Sequence, residues 1–371
     1  MRKDVTQAAG GRQENLHFHE QTSLSEPRSF EPDRSHPGDG PPTWPRTWVV
    51  TDGKPGMENQ CLGLADALGG PTTVKRVVLR TPWRIATPYL PGVLWLGRDD
   101  RSDPLNPPWP DLLISSGRQS AGIALAIRRR SRGRTFCVHI QNPGVPFTRF
   151  DLVAMPRHDR KDGANVVVTT GALHRVTAER LAREAARFEA NAARLPRPRV
   201  AVLIGGSNDV YSLTPTLTGE LADRLAELAR DRGAGLLVTP SRRTGADNEA
   251  ILRARLKDLP ALVWDGSGEN PYYGYLGLAD IVLCTSDSVS MVSEAASTGK
   301  PVYIIELAGG SAKFRRFHDR LYADGIARPF AGALEAWHYQ PLADTAQVAE
   351  VVLRRMALSG RQPATNAAVS G

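Results

Sequence analysis

Cysteine is scarce in this chain: three in 371 residues, at Cys61, Cys137 and Cys284, each standing alone beside apolar sequence. That pattern argues against a disulfide framework or a cysteine-based zinc site and suits buried thiols in a reducing cytoplasm. Aromatic residues make up only 6% and are not interleaved with the arginines, so the stacking platforms of single-strand nucleic-acid binders are missing. There is no apolar run of the roughly 18 residues needed to span a bilayer. The N-terminal MRKDVTQAAGGRQEN has no apolar stretch of the kind a secretory signal carries. Also absent are a D-x-D metal motif, a G-x-x-x-x-G-K-[ST] phosphate loop, a G-x-S-x-G elbow and a complete G-x-G-x-x-G fingerprint. The expectation is a cytoplasmic protein with neither metal nor organic cofactor and no nucleic-acid partner.

What is present is a basic, α/β-patterned chain. The formal charge is +8 and the isoelectric point about 9.6, which favours acidic partners such as phosphates or anionic lipid. Residues 1–45 are rich in Gly, Pro, Ser, Glu and Arg and are expected to be a disordered tail. From Thr47 buried-type strands alternate with helices. TWVVT, PDLLISSG, TFCVHIQNP, FDLVAMPRHD and NVVVTTGAL read as strands, and Val176–Leu195 as an amphipathic helix before a PRPR linker. The alternation restarts at RVAVLIGGS and runs to ADTAQVAEVVLRRMAL, a helix with Asp344 and Thr345 available as caps. Such alternation implies parallel sheets covered on both faces. The expected fold is α/β, two doubly wound Rossmann-like domains facing across a cleft. The expected boundaries are 46–178, a helix and linker at 179–198, 199–343, a C-terminal helix at 344–358 and a second tail at 359–371.

Ligands of such sheets gather at the carboxyl ends of strands, so the turns there carry the chemistry. Asp52-Gly53-Lys54-Pro55-Gly56 follows the first strand and offers Asp52 as a base and Lys54 as an anion contact, though plain βα turns have the same composition. Arg118 opens a helix against the helix dipole, which an anion or carboxylate would relieve. His139, in a strand, is either a base facing the cleft or a hydrogen-bonded core histidine, and burial statistics favour the second. Gly205-Gly206-Ser207 lets a phosphate approach the backbone. Arg242 and Arg243 close the next strand with forked phosphate donors. The strongest signal is ADIVLCTSDSVSMVSEAASTGKPVYII: Asp287, Ser290 and Glu294 fall on one helical face between two buried strands. Ser288 lies at that helix start, where N–H groups suit a phosphate, and a carboxylate one turn in suits ribose hydroxyls. Arg128, Arg129, Arg130, Arg132 and Arg134 cluster at another helix end, as helix-dipole partners or as a contact for an anionic membrane.

Taken together, TDGKPGMENQCLGLADAL, SSGRQSAG, NVVVTTGALHRVT, IGGSN, ENPYYGYLGLAD and DSVSMVSEAASTGKPV resemble the mitochondrial-fission Elm (elongated mitochondria) family and its bacterial homologues, over roughly residues 47–355. The resemblance implies a glycosyltransferase B-like architecture: an N-terminal acceptor domain and a C-terminal nucleotide-sugar donor domain. Enzymes of that architecture hold the donor ribose with an acidic residue before a Gly-x-Pro, and Ser290, Glu294, Ala295, Gly299 and Pro301 match that layout, as Gly205, Gly206 and Ser207 match the glycine loop. Their first-domain base is often a histidine, where this loop has Asp52 or Glu58. The implied activity is metal-independent transfer of a sugar from a nucleotide-diphosphate donor, with Asp52 and His139 catalytic. Gly205, Gly206, Ser207, Arg242, Asp287, Ser288, Ser290 and Glu294 fall on the donor side, and Lys54, Glu58 and Arg118 on the acceptor side. The acceptor is unidentified, a lipid-linked or cell-envelope glycan being the expectation, with peripheral contact at the inner membrane. A nucleotide-sugar epimerase, or a non-catalytic scaffold or membrane-remodelling factor akin to the fission proteins, are the alternatives.

Overall fold

The structure is a computed structural model and describes residues 45–361 except 82, 88 and 90–96. Of the tails expected at 1–45 and 359–371, residues 1–44 and 362–371 lie outside the described residues, while Ser359–Arg361 are placed, Arg361 pairing with Asp151 at 2.8 Å. The first half contains β1 (Thr47–Thr51), α1 (Pro55–Leu68), β2 (Thr72–Arg76), α2 (Trp83–Ala86), β3 (Leu112–Ser116), α3 (Arg118–Arg130), β4 (Phe136–Ile140), β5 (Leu152–Pro156) and β6 (Val166–Thr169). Its strands form one parallel sheet in the order β2-β1-β3-β4-β5-β6. Then α4 (Ala178–Ala192), capped by the Thr177 hydroxyl, leads to the second half.

There follow β7 (Arg199–Ile204), β8 (Tyr211–Ser212), α5 (Pro215–Asp231), β9 (Gly235–Pro240), α6 (Ala246–Leu256), β10 (Ala261–Val263) and α7 (Tyr272–Leu278). After them come β11 (Ile281–Thr285), α8 (Val289–Ala296), β12 (Val302–Ile305), β13 (Ala308–Gly309), α9 (Ala312–Ala323), β14 (Ala327–Pro329) and α10 (Asp344–Leu358). The second sheet is also parallel, in the order β10-β9-β7-β11-β12-β14, and β8 with β13 makes a small antiparallel ribbon. Every residue of β1, β3, β4, β5, β7, β9, β11 and β12 is buried. That is why these strands read as continuous apolar runs rather than alternating ones.

Two sequence features help tie the halves together, beside the contacts of α9, where Lys313 pairs with Asp159 at 2.7 Å and Arg316 donates to the His158 carbonyl at 2.8 Å. In YYGYLGL, Gly274 and Gly277 are three apart and so share one face of α7. A Cβ on Gly274 would sit 2.4 Å from Phe188, and one on Gly277 2.5 Å from the Leu181 carbonyl, so α4 packs against α7 because both positions lack a side chain. The chain then returns: Val348, Ala349, Val352 and Met356 of α10 join Cys61, Leu64 and Leu68 of α1 in the core of the first half. Asp344 and Thr345 are not the caps expected of them, since α10 has Ala343 at its N-cap. Instead the Asp344 carboxylate accepts the N–H groups of Thr170 and Gly171 at 2.9 and 2.8 Å, and Thr345 Oγ1 accepts from His174 N–H. Those donors belong to the segment leading out of β6, so the two crossings between the halves are bonded to each other. No described helix is long and apolar enough to cross a membrane.

Candidate functional site

In each sheet the strand order reverses at one point, between β1 and β3 in the first and between β7 and β11 in the second. Ligands of open parallel sheets bind beyond the carboxyl ends of the strands at such reversals. A cleft of about 1100 Å³ opens there, lined from the first half by Glu58 and Asn59 and from the second by Arg242, Asp287, Ser288, Ser290 and Glu294 among others.

The turn after β11 is built around a buried acid. Asp287 is only 2% exposed. Its Oδ1 accepts the Thr285 hydroxyl at 2.6 Å, and its Oδ2 accepts Gly206 N–H at 3.1 Å and the Arg243 guanidinium at 2.6 Å. Burial raises the carboxyl above its ordinary range, opposed by the Thr285 hydroxyl, Arg243 and the Gly206 N–H. Asp287 thereby fixes the glycine turn after β7 against the start of α8. Both glycines are required: a Cβ on Gly205 would fall 2.2 Å from the Asp287 carboxylate, and one on Gly206, whose φ is +149°, 2.0 Å from the Arg243 carbonyl oxygen. Ser288 caps α8 by accepting Met291 N–H at 3.3 Å. The N–H groups of Val289 and Ser290 at the helix start are left without intrahelical partners.

Glu294 sits one turn and a half further along α8, 4% exposed. The Tyr272 hydroxyl donates to its Oε2 at 2.5 Å. The Tyr273 hydroxyl at 3.4 Å and the Asn59 amide at 3.3 Å donate to Oε1. Burial pushes its pKa up to about 7, the tyrosine hydroxyls and Arg180 pulling the other way. Arg180 stacks on the Tyr273 ring at 4.1 Å and its buried Nε has no partner. Asn59 is therefore a first-half side chain bonded across the cleft to the second-half acid.

Of the residues singled out in the sequence, Glu58, Arg242, Asp287, Ser288, Ser290 and Glu294 meet in the cleft, with the Gly205 and Gly206 backbone behind Asp287. Glu58 is forked by Arg76 at 2.6 and 3.0 Å. Ser207 points elsewhere, its hydroxyl accepting Leu213 N–H at 3.0 Å. Asp52 and Lys54 pair with each other at 3.3 Å and, like Arg118, stand outside the cleft lining. His139 is a correction. β4 is an inner strand covered on both faces, His139 is 0% exposed, and its Nδ1 lies 2.9 Å from the Ser115 hydroxyl beside the Phe150 ring. Burial pushes its pKa down to about 3, so it is a neutral core histidine out of reach of an acceptor. Asn59, Arg180, Tyr272, Tyr273 and the anchoring role of Arg243 escaped the sequence reading. The one available signal was the tyrosine pair beginning a short helix just before the strand that ends at the acidic turn.

A second buried histidine joins the halves below the cleft. His174 Nδ1 accepts Val176 N–H at 3.2 Å, so Nε2 carries the proton and donates to Ser297 Oγ at 2.6 Å, which passes its own hydrogen to the Ser293 carbonyl at 2.8 Å. Burial lowers this histidine to about 4.

Two doubly wound halves with a cleft between them define the glycosyltransferase B-like class. Among solved structures, the UDP-GlcNAc 2-epimerase of Methanocaldococcus jannaschii, in complex with UDP-GlcNAc and UDP, resembles the chain with a TM-score of 0.50 and 10% identity, over 83% of this chain and 99% of that one. That likeness shows the fold. Residues 55–356 match the family described as Mitochondrial fission ELM1, and the chain belongs to that family. The Mitochondrial fission protein ELM1 of Arabidopsis thaliana is 34% identical over 278 residues, which is 68% of this chain and 65% of that relative's length. An uncharacterized protein of Rickettsia prowazekii is 26% identical over 356 residues, 82% of this chain and 97% of its own.

Proposed function

We propose that the cleft holds a nucleoside-diphosphate sugar and that the protein transfers the sugar to an acceptor hydroxyl. The observation that carries this reading is the arrangement along α8. Free N–H groups of Val289 and Ser290 lie at its start, in the cleft that Arg242 also lines, and the buried Glu294 carboxylate lies roughly 7 Å further along the helix axis. That spacing suits a diphosphate at the helix start and ribose hydroxyls at the carboxylate. In the transfer step the acceptor oxygen bonds to the anomeric carbon as the bond from that carbon to the diphosphate oxygen breaks. Arg242 and the helix N–H groups then receive the departing charge without a metal. The acceptor proton goes to a first-half carboxylate. Glu58 lines the cleft, though Arg76 forks it; Asp52 stands outside the lining, held by Lys54 through its ammonium and its N–H at 3.3 Å each, and serves where the acceptor extends toward the turn after β1. Calorimetric titration with UDP, GDP, ADP and TDP tests the donor site. The expected result is binding of at least one of them and a loss of about tenfold or more in Glu294→Ala, in line with a charge-assisted hydrogen bond. Failure of all four to bind, or equal binding by the variant, rejects the reading.

One observation favours a second reading, nucleotide-sugar epimerisation. The acid–base candidates of the first half are ion-paired or, at His139, buried, and an epimerase needs no acceptor. Incubation with UDP-GlcNAc alone separates the two: an isomerised sugar supports epimerisation, and reaction only with an added acceptor supports transfer.

A further inference from the structure

The carboxyl ends of the first sheet face the cleft, and the amino ends carry a different surface. Arg46 precedes β1, Arg134 precedes β4 and Arg149 precedes β5, while α3 ends at this same edge with Arg128, Arg129 and Arg130. The fold thus gathers arginines that are far apart in sequence. Balancing the α3 dipole explains only part of the set. Arg128 donates to the Arg149 carbonyl and to Asp151, and Arg361 takes Asp151 as well. Arg46 pairs with Asp111 at 3.4 Å. Among the described residues no carboxylate pairs with the side chains of Arg129, Arg132, Arg134 or Arg149, and all four are exposed. Arg132 also adopts φ +54°, a left-handed turn that carries the chain from the end of α3 toward β4.

Two hollows open on this face. One, of about 450 Å³, is lined by Arg128, Arg129, Arg132 and Arg149. The other, of about 480 Å³, is lined by Arg46, Arg134, Arg361 and Trp109. The first is ringed by guanidinium groups, whose planar forks match phosphate oxygens; the second also holds the Asp111 carboxylate that pairs with Arg46, and leaves Arg134 as its arginine without a carboxylate partner among the described residues. The arginines sit on turns and on a helix end, not along an exposed helix able to enter a nucleic-acid groove. Clusters of this size and sign are drawn to anionic phospholipid surfaces, with a field that decays within a Debye length.

We infer that this edge of the first sheet docks the protein on an anionic phospholipid bilayer, with lipid phosphates seated among Arg129, Arg132, Arg134 and Arg149. The contact is independent of the nucleotide reading, because none of these residues lines the cleft. Co-sedimentation of the full chain with vesicles of phosphatidylcholine alone, or of phosphatidylcholine mixed with phosphatidylglycerol, tests it. The protein pellets with the mixed vesicles only and is released by salt. Replacing Arg129, Arg132 and Arg149 together by alanine weakens partitioning by about a hundredfold, at roughly fivefold per arginine. Replacing the same three by lysine restores most of it. Equal binding to neutral vesicles, unchanged binding by the alanine variant, or tighter binding to duplex DNA than to the mixed vesicles at the same salt overturns the proposal. Thermal melts of the variants confirm that their fold is intact.

Discussion

Glu294 makes the stability of this protein depend on pH in an unusual direction. An ionised carboxyl in the unfolded chain takes its ordinary value of 4.5, whereas in the folded protein burial raises it to about 7. At about 1.4 kcal/mol for each tenfold change in proton affinity, keeping the ionised group inside costs about 3 kcal/mol. Below 4.5 both states hold the proton and there is no penalty. Between 4.5 and about 7 the folded state keeps a proton that the unfolded state has released, so stability falls as pH rises. Above that window the penalty is constant. The perturbation is Glu294→Gln, which keeps the shape and removes the titration. Urea unfolding of both proteins between about pH 5 and about pH 8 gives the difference that matters. The buried histidines His139 and His174, held low at about 3 and about 4, pull the opposite way, but equally in both proteins. The wild type should lose about 3 kcal/mol relative to the variant across the window. Parallel curves would refute the reasoning, showing either that the carboxyl titrates normally or that it is solvated in solution. If Glu294 also accepts ribose hydroxyls, affinity for a nucleoside diphosphate climbs more steeply through about pH 7 in the wild type than in Glu294→Gln, where only the ligand's terminal phosphate titrates.

Three other outcomes are expected. Gly206→Ala forces a Cβ to within 2.0 Å of the Arg243 carbonyl oxygen at a φ of +149°; urea unfolding should show a loss of about 2–4 kcal/mol, with nucleotide binding abolished. Arg242→Ala leaves stability within about 0.5 kcal/mol, and calorimetry should show affinity for a nucleoside diphosphate falling about tenfold, with little change for the free nucleoside. Asp344→Ala strands the N–H groups of Thr170 and Gly171, costing about 2–4 kcal/mol, and hydrogen exchange should quicken at those two amides before it does in the sheets.

The parallel sheets were legible because strands buried on both faces carry unbroken apolar runs, as RVAVLI and IVLCT do. The edges were not. β2 is TTVKR and largely exposed, and β14 is three residues long with two of them exposed, so neither carries such a run. The burial of β4 on both faces decides His139 for the core histidine that burial statistics favoured, against the catalytic role that the resemblance implied. Glu294 stood out because a carboxylate between two buried strands lacks a bland explanation. Its partners did not, because Asn59 is 235 residues away and the pairing exists only once the two sheets face each other. Asp344 shows the same limit. A side chain at a helix start reads as a cap, and here it captures backbone from another segment instead.

The pairing of Asp344 with Thr170 and Gly171, and of Thr345 with His174, has a mechanical meaning. The chain crosses between its halves twice, and the crossings are riveted side by side instead of lying at opposite rims. Two strips fastened along one line permit swivelling about that line and resist sliding. Gly171 packs directly on Ser293 of α8, which places the axle against the helix that carries Glu294. A swing that opened the cleft would turn the first half about a pivot beside this acid, and it would have to release the Asn59 bond together with those of Arg316 to the His158 carbonyl and Lys313 to Asp159.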